Sequence, residues 1–134
     1  MIPSSHLQIK PSRLPNAGKG LFTKTPIKKG QRIVEYKGRI RLWKEVKHLD
    51  GYNGYLLRLS RTLAIDAEPL RSGKGRYAND AMGLTRVRGL RNNAEYLIYG
   101  DQCFIEATRN INAGEEVFVS YGRAFWLLQQ KLRS

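Results

Sequence analysis

One feature constrains this chain more than any other: an echo between its two halves. The frame Ile27-x-x-Gly30-x-x-Ile33 returns 84 residues later as Ile111-x-x-Gly114-x-x-Val117. Each copy follows an apolar stretch, Leu21-Phe22-Thr23 in the first case and Phe104-Ile105-Glu106-Ala107 in the second. Each also delivers another, Arg32-Ile33-Val34-Glu35-Tyr36 and Glu116 to Tyr121. A glycine between short β-branched runs is turn chemistry between strands. A solenoid needs three or more stacked units, and here there are two. The echo therefore predicts two strand–turn–strand units within one mostly-β domain.

The remaining segments fit that frame. Leu7-Gln8-Ile9-Lys10 predicts a short strand stopped by Pro11, and Asn16 to Gly20 a glycine-rich turn. Tyr55 to Leu59 and Leu63 to Asp66 predict two more strands, and Cys103 a small buried hydrophobe at a strand start. Helix is confined to three places: a turn over Leu42 to Val46, a short helix over Arg76 to Ala81, and the tail from Ala124 to Leu132. In that tail Phe125, Leu128 and Leu132 share one face. No linker or low-complexity run interrupts the sequence. Residues 1–134 thus predict a single domain with its core over about 7–126 and a C-terminal segment at 124–134.

Composition removes several classes of function. Cys103 is alone, which excludes an intrachain disulfide and a multi-cysteine zinc site, while His6 and His48 lack partners at ligand spacing, so no metal is expected. No apolar run approaches the roughly 18 residues of a membrane span, and Met1 to Ser5 lacks a secretory pattern. The expectation is an intracellular protein, cytoplasmic or nuclear. Charge is distinctive: 24 Lys and Arg against 11 Asp and Glu give +13, and residues 1–67 alone carry +10. Such a surface attracts polyanions or partners lying close to them, so nucleic-acid proximity is expected.

Five motifs occur in order. They are Gly18-x-Gly20-Leu21-Phe22, Glu35-Tyr36-x-Gly38, Ile65-Asp66-Ala67, Arg76-Tyr77-Ala78-Asn79-Asp80 and Gly114-Glu115-Glu116-Val117-x-Val119-Ser120-Tyr121-Gly122. Each is weak alone, and Gly18-Lys19-Gly20 belongs to no phosphate-binding fingerprint. As an ordered set, from about Leu7 to Trp126, they resemble the SET-domain protein-lysine N-methyltransferases. The closing Ser120-Tyr121-Gly122-x-x-x-Trp126 is most similar to small free-standing viral and bacterial members.

The resemblance implies a β-clip-like fold of several small sheets with a C-terminal pseudoknot and little helix. It implies S-adenosyl-L-methionine on one side of the domain and a substrate lysine entering from the other. By similarity, Lys19, Gly20 and Leu21 hold the cofactor's amino-acid end, Asn79 and Asp80 position the cofactor, and Trp126 stacks on adenine. Tyr121 and Tyr36 are the catalytic candidates, and Tyr121 also borders the cofactor. Tyr36, Tyr55 and Val119 are the candidates for the substrate channel. A lysine-bearing protein is the implied substrate, a histone tail among the possibilities, without zinc or a membrane.

Physical chemistry explains why such a channel needs tyrosines. The attacking amine must be neutral, and with lysine's ordinary pKa near 10.4 that costs roughly 4.6 kcal/mol at pH 7. An apolar wall disfavours the ammonium and lowers this cost, while confinement aligns the reacting atoms. A tyrosine adds one orienting hydroxyl but is a poor base at neutral pH. Proton loss is therefore assigned to water.

Two departures stand out. Where the family carries Asn-His-Ser-Cys-x-Pro-Asn, this chain has Asn79-Asp80-Ala81, then an inserted Met82 to Arg91, with Asn93 as the counterpart of the final Asn. Nor is there a cysteine cluster to build a zinc-bound lid over the channel. Asp80 and the basic charge keep an alternative open: a non-catalytic module of the same fold that binds nucleic acid or chromatin.

Overall fold

The computed structural model describes residues 1–50, 55–67, 73–83 and 86–122. In chain order the strands are β1 (Leu7–Pro11), β2 (Lys19–Thr23), β3 (Arg32–Glu35), β4 (Arg39–Leu42), β5 (Leu56–Arg58), β6 (Leu63–Asp66), β7 (Ala94–Tyr99), β8 (Gln102–Ala107) and β9 (Glu116–Val117). They form three small antiparallel sheets, ordered β1-β2-β9, β3-β8-β7 and β4-β6-β5. Among the described residues, helix amounts to one turn, α1 (Trp43–Val46), and 3-10 turns at Ser4–His6, Lys47–Leu49 and Gly75–Tyr77. None is long and apolar enough to cross a membrane.

The sequence echo is a structural pair. Ile27 and Ile111 face each other in an antiparallel bridge and exchange both backbone hydrogen bonds at 2.8 Å. Gly30 and Gly114 both adopt φ +86°, the left-handed region that a side chain would strain. Each glycine amide then caps the strand that leads into the other copy: Gly30 donates to Ala107 at 2.8 Å, and Gly114 to Thr23 at 2.7 Å. Around this pair Leu21, Ile27, Ile33, Ile105, Ile111, Val117 and Val119 are fully buried.

The chain from Glu116 to Tyr121 is stitched on several sides. β9 pairs with β2, Phe118 bridges Asn79 in parallel, and Val119 bridges Ala94. Asn93 completes the seam from inside: its Nδ2 donates to the Glu116 carbonyl and its Oδ1 accepts from the Phe118 amide, each at 2.9 Å. One side-chain amide thus serves both a carbonyl and an amide of this segment, which is why an asparagine fits at 93.

Local expectations differ from the structure where tertiary partners intervene. The strand expected over Glu116 to Tyr121 keeps regular pairing only at Glu116–Val117, because its later residues meet two partners one residue at a time. The helix expected over Arg76 to Ala81 shrinks to Gly75–Tyr77. Ala78 turns extended there, and the Asn79 carbonyl accepts from Val119 instead of closing a helical turn. β1 runs on through Pro11 rather than stopping before it, which its edge position permits.

Candidate functional site

Three tyrosines from distant parts of the chain meet beside the seam. Tyr36 follows β3, Tyr96 lies on β7, and Tyr121 follows the stitched segment. The Tyr36 and Tyr96 rings meet edge to face with centroids 5.6 Å apart, and those of Tyr96 and Tyr121 lie nearly parallel at 6.5 Å. Tyr36 is only 4% exposed, and its Oη donates to the Tyr55 carbonyl at 2.8 Å. The Tyr55 ring is covered by the Arg76 guanidinium at 3.8 Å. That guanidinium also donates to the Ala67 carbonyl at 3.1 Å.

Tyr121 is held at both ends by one short segment. Its Oη donates to the Ala78 carbonyl at 2.6 Å, and its backbone amide donates to Asp80 Oδ2 at 2.9 Å. Asp80, 5% exposed, also accepts at Oδ1 from the Met82 amide at 2.8 Å and from Asn92 Nδ2 at 2.9 Å. Asn92 returns the contact by accepting from the Ala81 amide at 2.8 Å. The carboxylate therefore closes the base of the insertion and fixes the catalytic candidate in one step. Histidine could not supply two acceptor oxygens in this way.

The glycine-rich turn sits against the same segment. Asn79 Nδ2 donates to the Lys19 carbonyl at 3.0 Å. Gly18 has φ +67°, and a Cβ there would meet nothing within 4 Å, so the turn opens onto free space. Gly20 is small for a different reason, since a Cβ there would overlap the Glu116 carboxylate. Glu116, 1% exposed, accepts from Ser12 Oγ at 2.7 Å and from the Arg13 amide at 2.8 Å. Among the described residues Glu116 thus serves as an anchor for one hydroxyl and one amide. Gly20→Ala is expected to push this carboxylate off both partners and cost about 2–3 kcal/mol, measured as a lower urea midpoint.

Burial sets the protonation states. It pushes Tyr121 well above tyrosine's ordinary range, with the Asp80 carboxylate as the next cause and Tyr55 after it. Tyr36 is raised by burial, then by Tyr121 and Cys103, with Arg76 opposing. Tyr96 is raised by burial, then by Tyr121 and Tyr36. Cys103 is pushed up to about 12 by burial and then by Glu35. All four hold their protons more tightly folded than unfolded. Their contribution to stability is complete below the ordinary values of 9.0 for cysteine and 10.0 for tyrosine, and it is lost as pH climbs beyond them. The urea midpoint should fall above about pH 9. A midpoint rising through that window would contradict the burial of these groups.

Of the residues singled out in the sequence, Lys19, Asn79, Asp80 and Tyr121 are joined by these contacts, with Gly20 and the fully buried Leu21 following Lys19 on β2, and Tyr36 and Tyr55 are joined by a second set. Val119 is fully buried in the core cluster against which Tyr96 and Tyr121 pack. Trp126, with Phe125, Leu128 and Leu132, lies outside the described residues. Sequence reasoning missed Tyr96, although the apolar run Ala94 to Tyr99 directly after Asn93 carried a strand signal.

A family model, the SET domain, matches residues 18–122. The chain belongs to the SET-domain family. Among solved structures, this SET domain superposes with TM-score 0.70 and 26% identity on a chain of a humanized mutant of the Chaetomium thermophilum Polycomb Repressive Complex 2 bound to the inhibitor GSK126. The match covers 92% of the SET domain and 16% of that chain, so the domain spans a small part of the relative's length. A search of curated proteins finds no match.

Proposed function

We propose that this SET domain transfers a methyl group from S-adenosyl-L-methionine to the side-chain amine of a lysine in another protein. The observation that carries the reading is the junction at Tyr121, whose two ends are tied to Ala78 and Asp80 beside the Gly18–Gly20 turn while its ring stacks on Tyr96. One residue thereby joins the side suited to a cofactor with the side suited to an apolar amine channel.

The residues present fit the cofactor. Open space beside Gly18 leaves the turn's backbone reachable, and the Asn79 Oδ1 accepts no hydrogen bond from the described residues, which suits an α-ammonium. Gly18 to Leu21, Asn79 and the Asp80 backbone would hold its amino-acid end and orient it. When bound, the cofactor supplies an electrophilic methyl carbon on a cationic sulfur.

The chain's own residues do the rest. Tyr36, Tyr96 and Tyr121 exclude water from the amine and lower the cost of keeping it neutral. They also restrict its approach to one direction. The lysine sheds its proton to water before transfer, because each of the three phenols keeps its own proton. Tyr121 Oη, already donating to Ala78, orients rather than titrates.

The reading is tested by incubating the protein with methyl-labelled S-adenosyl-L-methionine and a panel of lysine-bearing proteins, core histones included, and locating the label by mass spectrometry. Label on lysine supports it. Absence of label from every lysine-bearing substrate, together with no calorimetric uptake of the cofactor, would overturn it. A non-catalytic nucleic-acid or chromatin module would account for the charge of +13 but leaves the joined tyrosine and glycine-turn sites without a use.

A further inference from the structure

Part of the basic excess of the first half lines one aromatic pocket that shares no residue with the tyrosine cluster. A cavity of about 380 Å³ lies where β4, α1 and the β5–β6 turn meet, lined by Leu42, Trp43, Lys44, Lys47, Arg61 and Thr62. Three of these six are cations and none is an acid. No ion pair to Lys44, Lys47 or Arg61 is found among the described residues. Nearby, Asp66 is engaged by Arg41 at 3.7 Å, and Glu45 lies on α1 without lining the cavity.

The pocket is rigidly built. The Arg58 guanidinium stacks 4.5 Å from the Trp43 ring centroid. Its nitrogens donate to the Ser60 carbonyl at 2.9 Å and the Arg61 carbonyl at 3.0 Å. Ser60 Oγ accepts from the Leu63 amide at 3.1 Å, and the Trp43 amide donates to the Thr62 carbonyl at 2.7 Å. These bonds tie the indole to the turn that carries Arg61. The apolar wall continues along the edge strand β4, where Ile40 is 43% and Leu42 42% exposed.

We infer that this pocket docks single-stranded nucleic acid, with a base against Trp43 and Leu42 and flanking phosphates on Lys44, Lys47 and Arg61. An aromatic platform ringed by unpaired cations is the pattern that binds single strands with little sequence preference. A carboxylate side chain would satisfy the cations but has no flat face to place on the indole. A polyanion also engages the charge outside the pocket, since Lys37, Arg39 and Arg41 lie before or on β4. The docked strand would bring the SET domain to lysine-bearing proteins already assembled on it.

The test is fluorescence anisotropy of a labelled oligothymidine across a salt series, with duplex DNA and polyglutamate as comparison ligands. The expected result is tighter binding of oligothymidine than of polyglutamate. Trp43→Ala should weaken it roughly 5- to 150-fold, as loss of one stacked base does, with Trp43→Phe between the two. The triple variant Lys44→Gln, Lys47→Gln, Arg61→Gln should flatten the slope of log affinity against log salt by about 2, at roughly 0.7 per phosphate contact. All three side chains are peripheral, so this variant decides the matter even if Trp43→Ala fails to fold. Oligothymidine affinity unchanged in the triple variant, or polyglutamate bound more tightly than oligothymidine, would overturn the inference. Methylation of a short lysine peptide should be unchanged in the triple variant, which separates a failure here from a failure of the methyl-transfer reading.

Discussion

Asp80→Ala is expected to destabilise the protein by about 3–5 kcal/mol and to remove its methyl transfer, read as urea midpoint and as label incorporated into lysine. The magnitude follows from donors that, among the described residues, lose their acceptor together: the amides of Met82 and Tyr121 and the side chain of Asn92. All three face a carboxylate that is almost fully buried, so water replaces it poorly. Asp80→Asn is the finer probe. It turns one acceptor oxygen into a donor, which must then oppose either Tyr121 or the Met82–Asn92 pair. Adding Asn92→Asp to Asp80→Asn returns an acceptor to the partner position and should recover part of both stability and rate. An Asp80→Ala protein with the wild-type midpoint would show that the clasp holds nothing.

Tyr121→Phe is expected to lower the methyl-transfer rate by about 10²-fold, because the hydroxyl's bond to the Ala78 carbonyl fixes the ring and a ring set loose misplaces the reacting groups. The pH dependence should survive the change. Burial and the Asp80 carboxylate keep the Tyr121 proton in place through neutral and mildly alkaline solution, so under the proposed methyl transfer the titrating group would be the substrate lysine. The log of the rate should therefore climb by about one per pH unit in both proteins, with Tyr121→Phe simply displaced downward. Loss of that slope in the phenylalanine variant would make Tyr121 the base and overturn the assignment of proton loss to water.

What was legible in the sequence was what is periodic or ordered along it. The echo of Ile27-Gly30-Ile33 in Ile111-Gly114-Val117 showed the paired turns, because a left-handed glycine and flanking strand formers are local requirements. Asn93 was singled out through the resemblance despite the insertion, and its two bonds to the stitched segment give that residue type a use. The tyrosine cluster was legible only in part. Tyr36, Tyr96 and Tyr121 share no local pattern, since their contact depends on β3 and β7 flanking β8 and on the bridges that hold Phe118 and Val119. β4 was missed because its Arg-Ile-Arg-Leu alternation buries neither face deeply. Asp80 read as a departure from the family; only the structure shows both oxygens in use.

The central claim is that the glycine turn and the tyrosine cluster are two openings of one passage. A crystal structure with S-adenosylhomocysteine and a lysine peptide tests it directly. The cofactor product is expected against Gly18 to Leu21 and Asn79, with the lysine nitrogen among Tyr36, Tyr96 and Tyr121. The sulfur should point at that nitrogen across the space of one methyl group, in keeping with reacting atoms about 3–3.5 Å apart at attack. Two ligands bound on unconnected surfaces, or a peptide seated away from the three phenols, would contradict it.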